Sequence, residues 1–418
     1  MLSQATQAKL ALYFCGMIVL HANVLWQSGE SVARGLPDFS IFYTAGRIVR
    51  DGQGTRLYDD SLQEPVQRSF APLAAEKRGG AILPYNHLPF EALLFVPVAR
   101  FSFVTAYAIW MIVNVALLCS IPCVLRKRLP ALGKAPVYLW LLACFAFYPI
   151  FMALIQGQDS ILLLFLYCLA YEAVERRSEL AAGGWLALGL YKYHLVLPFV
   201  VSSWRRNRLT LGFLIAAGGL GLISLAITGW HGLAGYPRYV WGTEHDPKYV
   251  LNSLQGQTAN LRGLISAMVP AAHSVIGTGL VIFFSAIVLL VMMSAAARIS
   301  WEDLTCRQSV LALNLVGTIL ISYHIYVHDL SVLFLAILLA LEVLLSGRFI
   351  PNWMRTVLWV CIAILSLSPA YMVLSLGYHQ LQFMAIVLGI FFASLIGVIN
   401  FLSAKTGGGG SLQASEGR

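Results

Sequence analysis

Long apolar runs separated by short polar segments dominate the chain. A helix needs about 20 mostly apolar residues to cross a bilayer, and ten runs reach or approach that length. They lie near residues 10–27, 102–125, 136–155, 160–175, 209–228, 274–297, 308–324, 329–346, 356–375 and 381–403. The pattern predicts an all-α polytopic membrane protein with about ten full spans.

An eleventh apolar stretch, residues 181–203, is interrupted by glycines and by the polar tetrad from Tyr191 to His194. As a single span it would place the basic clusters around Arg177 and Arg206 on opposite sides, against the excess of Lys and Arg in short cytoplasmic loops. A broken-helix hairpin keeps both clusters cytoplasmic. We therefore predict a hairpin with the tetrad at its outward tip, and cytoplasmic termini.

Two longer segments, about 28–100 and 229–272, fall on the external face in this topology. Within the first, residues 39–50 have the spacing of an amphipathic helix, which predicts a juxtamembrane helix in the plane of the interface. We expect one transmembrane domain, residues 1–403, followed by a flexible Gly-rich cytoplasmic tail, residues 404–418.

The composition supports the assignment to membrane proteins and limits the classes of partner that we expect. Hydrophobic residues make up 59% of the chain, charged residues 11%, and the mean hydropathy is +0.75. The net charge of +9 comes from short clusters between apolar runs, which is typical of membrane topology and lipid headgroup contact. We expect membrane lipids as partners and no nucleic acid. The seven cysteines lack a metal-ligand spacing and are interpreted as packing residues.

Asp38 is a lone carboxylate just beyond the first span. It can act as the N-cap of a helix that begins at Phe39, a position that Asp strongly prefers. It can also serve as a catalytic base, and the two roles are compatible.

Several segments resemble glycosyltransferase family 87. Residues 36–59, with Leu-Pro-Asp-Phe near the start and Arg-Leu-Tyr-Asp at the end, are similar to the signature after the first helix of that family. Further similar segments follow in family order: Tyr85 to Pro89, Gly157-Gln158-Asp159, Lys192, 257–264 and 323–330.

The resemblance implies a GT-C-type glycosyltransferase that moves mannose or a related sugar from a polyprenyl-phosphate donor with inversion. It also implies a lipid-linked or cell-envelope glycan acceptor. The expected location is the bacterial inner membrane, with the active site on the external, periplasmic face.

Sugar transfer to a hydroxyl needs a base and positive charge for the departing phosphate. With the resemblance, Asp38 is the expected general base. Lys192 and Arg262 are expected to bind the donor phosphate, because a cation in or beside an apolar helix is usually paired or functional. Snorkelling to the lipid headgroups is the alternative for both.

His324 and His328 are four residues apart and would share one helical face. They can bind the donor phosphate, relay a proton or, with Asp329, hold a metal. Because the Glu of the zinc hydrolase motif is missing, we expect no metal and no other cofactor.

A second group of polar and aromatic residues is expected to contact the sugar or the acceptor. For His87 and Asp159, capping and interhelical hydrogen bonds are alternatives, and Tyr43 can instead be an interfacial anchor. The expected substrate-binding residues are Tyr43, His87, Gln158, Asp159, His194, Gln257, Asn260 and Asp329.

Two other functions remain open from the sequence. A transporter or flippase of lipid-linked or small polar substrates also uses intramembrane charges and broken helices, but the chain shows no internal repeat. A non-catalytic subunit of envelope assembly is the third possibility.

Overall fold

In the computed structural model, residues 3–77, 83–245, 257–270 and 274–408 are described. Within these ranges the chain is helical and contains no β-strand. The prediction of an all-α protein is confirmed.

The first half of the chain forms eleven α-helices. They are α1 (Gln4–Ala33), α2 (Phe39–Arg50), α3 (Asp60–Phe70), α4 (Pro72–Lys77), α5 (Ala92–Phe95), α6 (Phe103–Leu125), α7 (Val137–Ala146), α8 (Tyr148–Gln156), α9 (Ser160–Glu175), α10 (Glu179–Leu188) and α11 (Tyr193–Ser202).

The second half adds eight α-helices. They are α12 (Asn207–His245), α13 (Leu261–Met268), α14 (Ser274–Arg298), α15 (Leu304–Ile321), α16 (Leu333–Leu345), α17 (Asn352–Leu365), α18 (Ser368–Met372) and α19 (Met384–Gly408). Short 3-10 turns that bear on the site are Pro89–Glu91, Gly189–Lys192 and Val327–Val332.

Eight helical segments in the described ranges are long and apolar enough to cross a membrane, or ten if two bent pairs each count as one span. The predicted spans 136–155 and 356–375 are those bent pairs: α7 meets α8 at 66°, and α17 meets the α18 segment at 59°. Each break lies two residues before a proline, Pro149 or Pro369. Proline lacks an N–H and clashes with the preceding turn, so the helix cannot continue straight.

The segment from Glu179 to Ser202 forms the predicted hairpin. Its length and hydropathy would allow one crossing, and a straight helix of 24 residues would be about 36 Å long. Arg206, however, forms an ion pair with Glu179, so the two ends lie together. The turn Gly189–Lys192 forms the tip, and α11 returns beside α9, where the Tyr167 hydroxyl donates to the Leu195 carbonyl at 2.7 Å.

The hairpin predicts that cysteines placed at Arg177 and Arg206 react from the same side of the membrane. We expect both positions to be labelled by an impermeant thiol reagent only from the cytoplasm, because both lie at the open end of the hairpin. The measurement is labelling of intact cells against inverted vesicles, in a background without the native cysteines. Labelling from opposite sides would rule out the hairpin.

Ion pairs join helices that are distant in the sequence at the end of the bundle opposite the hairpin tip. Arg307 pairs with Glu175 at 2.8 Å, and Arg128 lies 3.2 Å from Glu172. Arg206 also stacks on Trp301, at 4.1 Å from the ring centroid. These pairs hold the helix ends together at the face predicted to be cytoplasmic.

Helix α2 is buried inside the protein, so its apolar face does not meet lipid as the amphipathic pattern suggested. Nine of its 12 residues are buried, and it packs against α5 and α6. A methyl group on Gly46 would lie 2.7 Å from the Phe95 carbonyl oxygen, so glycine permits this close approach. The amphipathic pattern is present, but the protein, and not lipid, covers the apolar face.

Two boundaries differ from the sequence prediction. Helix α12 continues past residue 228, but Gly229 has a φ of 67° and breaks it into two helices at the predicted end of the span. At the C-terminus α19 extends to Gly408, so the tail begins later than residue 404. Residues 409–418 lie outside the described ranges.

Candidate active site

In the described part of the chain, a large cavity is lined by most of the predicted site residues. Its volume is about 670 Å³. Hairpin tip residues 190–194 form one wall, and residues 83–88, 236–241 and 323–329 contribute the others. Of the predicted residues, those lining it are Asp38, His87, Gln158, Lys192, His194, His324, His328 and Asp329.

Asp38 enters the cavity from the N-terminus of α2. It has helical backbone angles, φ −61° and ψ −18°, and its side chain makes no capping hydrogen bond. Its carboxylate instead accepts a hydrogen bond from Nε2 of Gln158 at 2.8 Å. The capping alternative is therefore wrong, and the carboxylate is oriented by a residue from another part of the chain.

The loop between α8 and α9 positions Gln158. Gly157 ends α8 with a φ of 61°, a left-handed conformation that favours glycine. Nε1 of Trp110 donates to the Gly157 carbonyl at 3.0 Å, and a methyl group on Gly157 would lie 2.7 Å from Cβ of Phe39. This loop therefore packs directly against the start of α2, where Asp38 lies.

Lys192 lies between two buried carboxylates. Its Nζ is 2.9 Å from Oδ1 of Asp159 and 2.7 Å from Oδ1 of Asp329, and all three residues are buried. Two negative partners already balance its charge. This arrangement fits a cation that holds the site together better than the predicted contact with a donor phosphate.

The segment 323–329 leads into the turn that precedes α16. Asp329 accepts hydrogen bonds from Ser160 and from the Tyr326 backbone N–H, at 3.1 and 3.0 Å. His328 is buried, with its Nδ1 2.5 Å from Oε1 of Gln156. His328 therefore forms the floor of the cavity rather than its rim.

The ring of His324 packs edge-on against the rings of His194 and Tyr326. The His324 ring centroid lies 6.4 Å from that of His194 and 4.4 Å from that of Tyr326. Nδ1 of His194 is 2.6 Å from the Ser322 hydroxyl. Because His324 is only partly buried, its ring is accessible from the cavity.

A buried acidic residue, Glu91, was missed by the sequence analysis. It lies in the apolar piece from Phe90 to Val98 and is fully buried, and its Oε2 is 2.9 Å from Nδ1 of His87. Burial and the neighbouring Asp159 raise the pKa of Glu91. A carboxylate within a short apolar run was the signal that could have revealed it, because such a group rarely stays buried without a partner.

Burial also affects the pKa values of the ionisable groups around Glu91. Burial lowers the pKa of His87 to about 4, so its imidazole is neutral near pH 7. Burial would raise the pKa of Asp159, but Lys192, Glu91 and His87 lower it below its usual range. Asp159 is therefore ionised.

Four predicted substrate-binding residues lie outside the cavity lining, and one of them, Asp159, is the partner of Lys192 described above. Tyr43 is buried and donates to the Phe101 carbonyl at 2.7 Å. Nε2 of Gln257 lies 3.2 Å from Nδ1 of His379. Asn260 caps α13 and donates to the Ser322 carbonyl at 2.6 Å. The structure supports structural roles for Tyr43 and Asn260, because their polar atoms are used within the fold.

Arg262 lies at the edge of the site. Its guanidinium is stacked 3.9 Å from the ring centroid of Tyr323 and donates to the carbonyl of that residue at 3.2 Å. Tyr323 itself lines the cavity. Arg262 is therefore one residue removed from the cavity surface.

Comparison with known proteins assigns the family. The profile of glycosyltransferase family 87 matches residues 85–323, which is more than half of the chain. The chain belongs to glycosyltransferase family 87. The matched region of this family 87 protein contains His87, Asp159 and Lys192, whereas Asp38 precedes it and His324 follows it. No curated protein and no solved structure matches the chain.

The family and the fold together support a membrane glycosyltransferase, with a sugar donor and a glycan acceptor in general terms. Aromatic residues of the cavity that the sequence analysis did not predict fit a carbohydrate site, because their faces can stack on sugar rings. They include Tyr191, Tyr193, Tyr236 and Tyr326. Three of these four are adjacent in sequence to predicted residues, or lie between two of them, but sequence proximity alone did not show which side chains face the cavity.

Proposed function

We propose that this protein transfers mannose from a polyprenyl-phosphate donor to a hydroxyl of a lipid-linked or cell-envelope glycan. The reaction inverts the anomeric carbon and yields an α-linked product. Asp38 is the general base that removes the proton of the acceptor hydroxyl. The site faces the periplasm of a bacterial inner membrane.

The position of Asp38 supports this function most directly. Its carboxylate is in the cavity wall and accepts one hydrogen bond from Gln158. The described contacts give it no cation within ion-pair distance, unlike Asp329, which Lys192 contacts. A carboxylate held in place and not neutralised by a cation can accept a proton from a bound hydroxyl.

The donor phosphate is best placed near His324 and Arg262. Their segments meet where Arg262 contacts Tyr323. The guanidinium supplies charge and the imidazole supplies a hydrogen bond. Lys192 and His328 support the site without contacting the phosphate, because their polar atoms already contact Asp329 and Gln156.

A sugar-transfer assay tests this function. The purified protein is reconstituted in liposomes with polyprenyl-phosphate mannose, synthetic alkyl glycosides and total membrane lipids as acceptors. We expect release of polyprenyl phosphate together with an α-linked product, identified by NMR. Transfer from a nucleotide-linked sugar without the lipid carrier would contradict the proposed donor. Movement of the donor across the bilayer without product would favour the flippase alternative.

Substitution of Arg262 or His324 by Ala is expected to weaken donor use. A charge-assisted hydrogen bond contributes about 1.5–3 kcal/mol, which corresponds to roughly a ten- to hundredfold loss in kcat/KM for the donor. The measurement is kcat/KM at subsaturating donor. Arg205→Ala is the control, because Arg205 is exposed beside Trp204 and should not change the kinetics. Unchanged values in both site variants would place the phosphate elsewhere.

A further inference from the structure

Three ligand-forming side chains converge at the cavity wall, where His87 lines the cavity. His87, Glu91 and Asp159 each offer one nitrogen or carboxylate oxygen, and these three atoms lie within 4.8 Å of one another. His87 and Glu91 are one helical turn apart around Pro89–Glu91, and Asp159 comes from the loop between α8 and α9. We call these three residues the His-Glu-Asp cluster.

The side chains of the cluster approach a common point, and polar atoms in it are left without a hydrogen-bond partner. Nδ1 of His87 is 2.9 Å from Oε2 of Glu91 and 3.8 Å from Oδ2 of Asp159. Nevertheless, Nδ1 of His87, Oε1 of Glu91 and Oδ2 of Asp159 are buried without a hydrogen-bond partner. Such buried polar atoms are costly unless something satisfies them.

The buried charges around the cluster are unbalanced. Glu91, Asp159 and Asp329 are three fully buried carboxylates, and Lys192 is the cation that the structure pairs with Asp159 and Asp329. Three carboxylates against one lysine leave two negative charges in excess when all three carboxylates are ionised. Burial of uncompensated charge is strongly unfavourable, so either protons or a cation must compensate it.

We propose that the His-Glu-Asp cluster binds one divalent transition-metal ion, with Zn²⁺ or Mn²⁺ as the fitting ions. A divalent ion would cancel the excess of two negative charges. Imidazole nitrogen with carboxylate oxygen is a ligand set that these ions accept. Bonds of about 2.0–2.2 Å allow ligand atoms to be up to about 4.2 Å apart, and the separations of 2.9 and 3.8 Å fit that limit.

The ion would join the loop of His87 to the loop of Asp159. Asp159 adjoins Gln158, which orients Asp38, and Oδ1 of Asp159 remains with Lys192. The metal would therefore stabilise the wall that carries the proposed base without touching the reacting atoms. It is independent of the sugar or acceptor that the enzyme uses, and it revises the sequence-based expectation of no metal.

Metal content of the purified protein tests the site directly. After removal of any affinity tag, mass spectrometric elemental analysis is expected to find about one zinc or manganese ion per wild-type chain. Glu91→Gln removes one ligand charge and should lower that content at least tenfold. Glu64→Gln is the matched control, because Glu64 is an exposed partner of Arg68 and should retain the full content.

Thermal unfolding provides a readout that does not need activity. EDTA is expected to lower the apparent Tm of the wild type by on the order of 5 °C, and added Zn²⁺ or Mn²⁺ should restore it. Glu91→Gln should show no such dependence. If that variant does not fold, Asp159→Asn and the wild-type titration replace it.

The proposal is wrong if the wild type contains no metal and its Tm does not change with EDTA or with added Zn²⁺ or Mn²⁺. In that case a proton shared between Glu91 and Asp159 compensates one of the two excess negative charges. This outcome would leave the proposed sugar transfer untouched, because the elemental analysis and the Tm do not depend on turnover.

Discussion

Replacement of Asp38 by Asn is expected to lower sugar transfer by about 10²- to 10⁴-fold, the usual contribution of a general base. The amide keeps the shape of the carboxylate, and its oxygen can still accept the hydrogen bond from Gln158. It loses the basicity that removes the proton from the acceptor. The measurement is kcat of the reconstituted protein with polyprenyl-phosphate mannose, together with donor affinity, which should change little.

Asp51→Asn is the matched control for this experiment. Asp51 lies at the other end of α2, is exposed and pairs with Arg50 at 2.7 Å. The same chemical change there should leave transfer near the wild-type rate. A turnover of Asp38→Asn close to that of the control would mean that another group accepts the proton.

Replacement of Lys192 by Met is expected to destabilise the fold more than any surface substitution. It leaves Asp159 and Asp329 buried without their shared cation, and removal of one partner from a buried ion pair costs about 3–5 kcal/mol. The measurement is the free energy of unfolding in detergent, or the apparent Tm where unfolding is irreversible. Lys127→Met, at an exposed position, is the control.

A second variant separates charge from packing. If the cost of Lys192→Met comes from uncompensated carboxylates, adding Asp159→Asn should recover part of the lost stability, because the double variant buries one charge fewer. A double variant that is less stable than Lys192→Met by the full cost of Asp159→Asn alone would show that the two residues do not interact.

The predictions of topology depended on local features of the chain. Apolar runs of about 20 residues must be satisfied by helical hydrogen bonds inside a membrane, so hydropathy located most spans. The distribution of Lys and Arg favoured the hairpin at 181–203, and the ion pair of Arg206 with Glu179 agrees with it. Asp38 could be selected because it is a lone carboxylate just beyond the first span and lies in a segment that resembles the family signature.

What the local pattern could not decide was which partner each polar side chain would meet. Lys192 contacts Asp159 and Asp329, which are 33 and 137 positions away in the sequence, and only the packing of separate helices brings them together. Helix α2 shows the same limit, because an amphipathic pattern marks an apolar face without telling whether lipid or protein covers it.

The sequence by itself thus determined the membrane class, most spans, the hairpin and the choice of Asp38, because each of these depends on residues that are close along the chain. The tertiary structure decided the pairing of Lys192, the burial of Tyr43 within the fold and the convergence of Glu91 with His87 and Asp159. Charge compensation in a buried site depends on distances between segments, and those distances are set only when the helices pack.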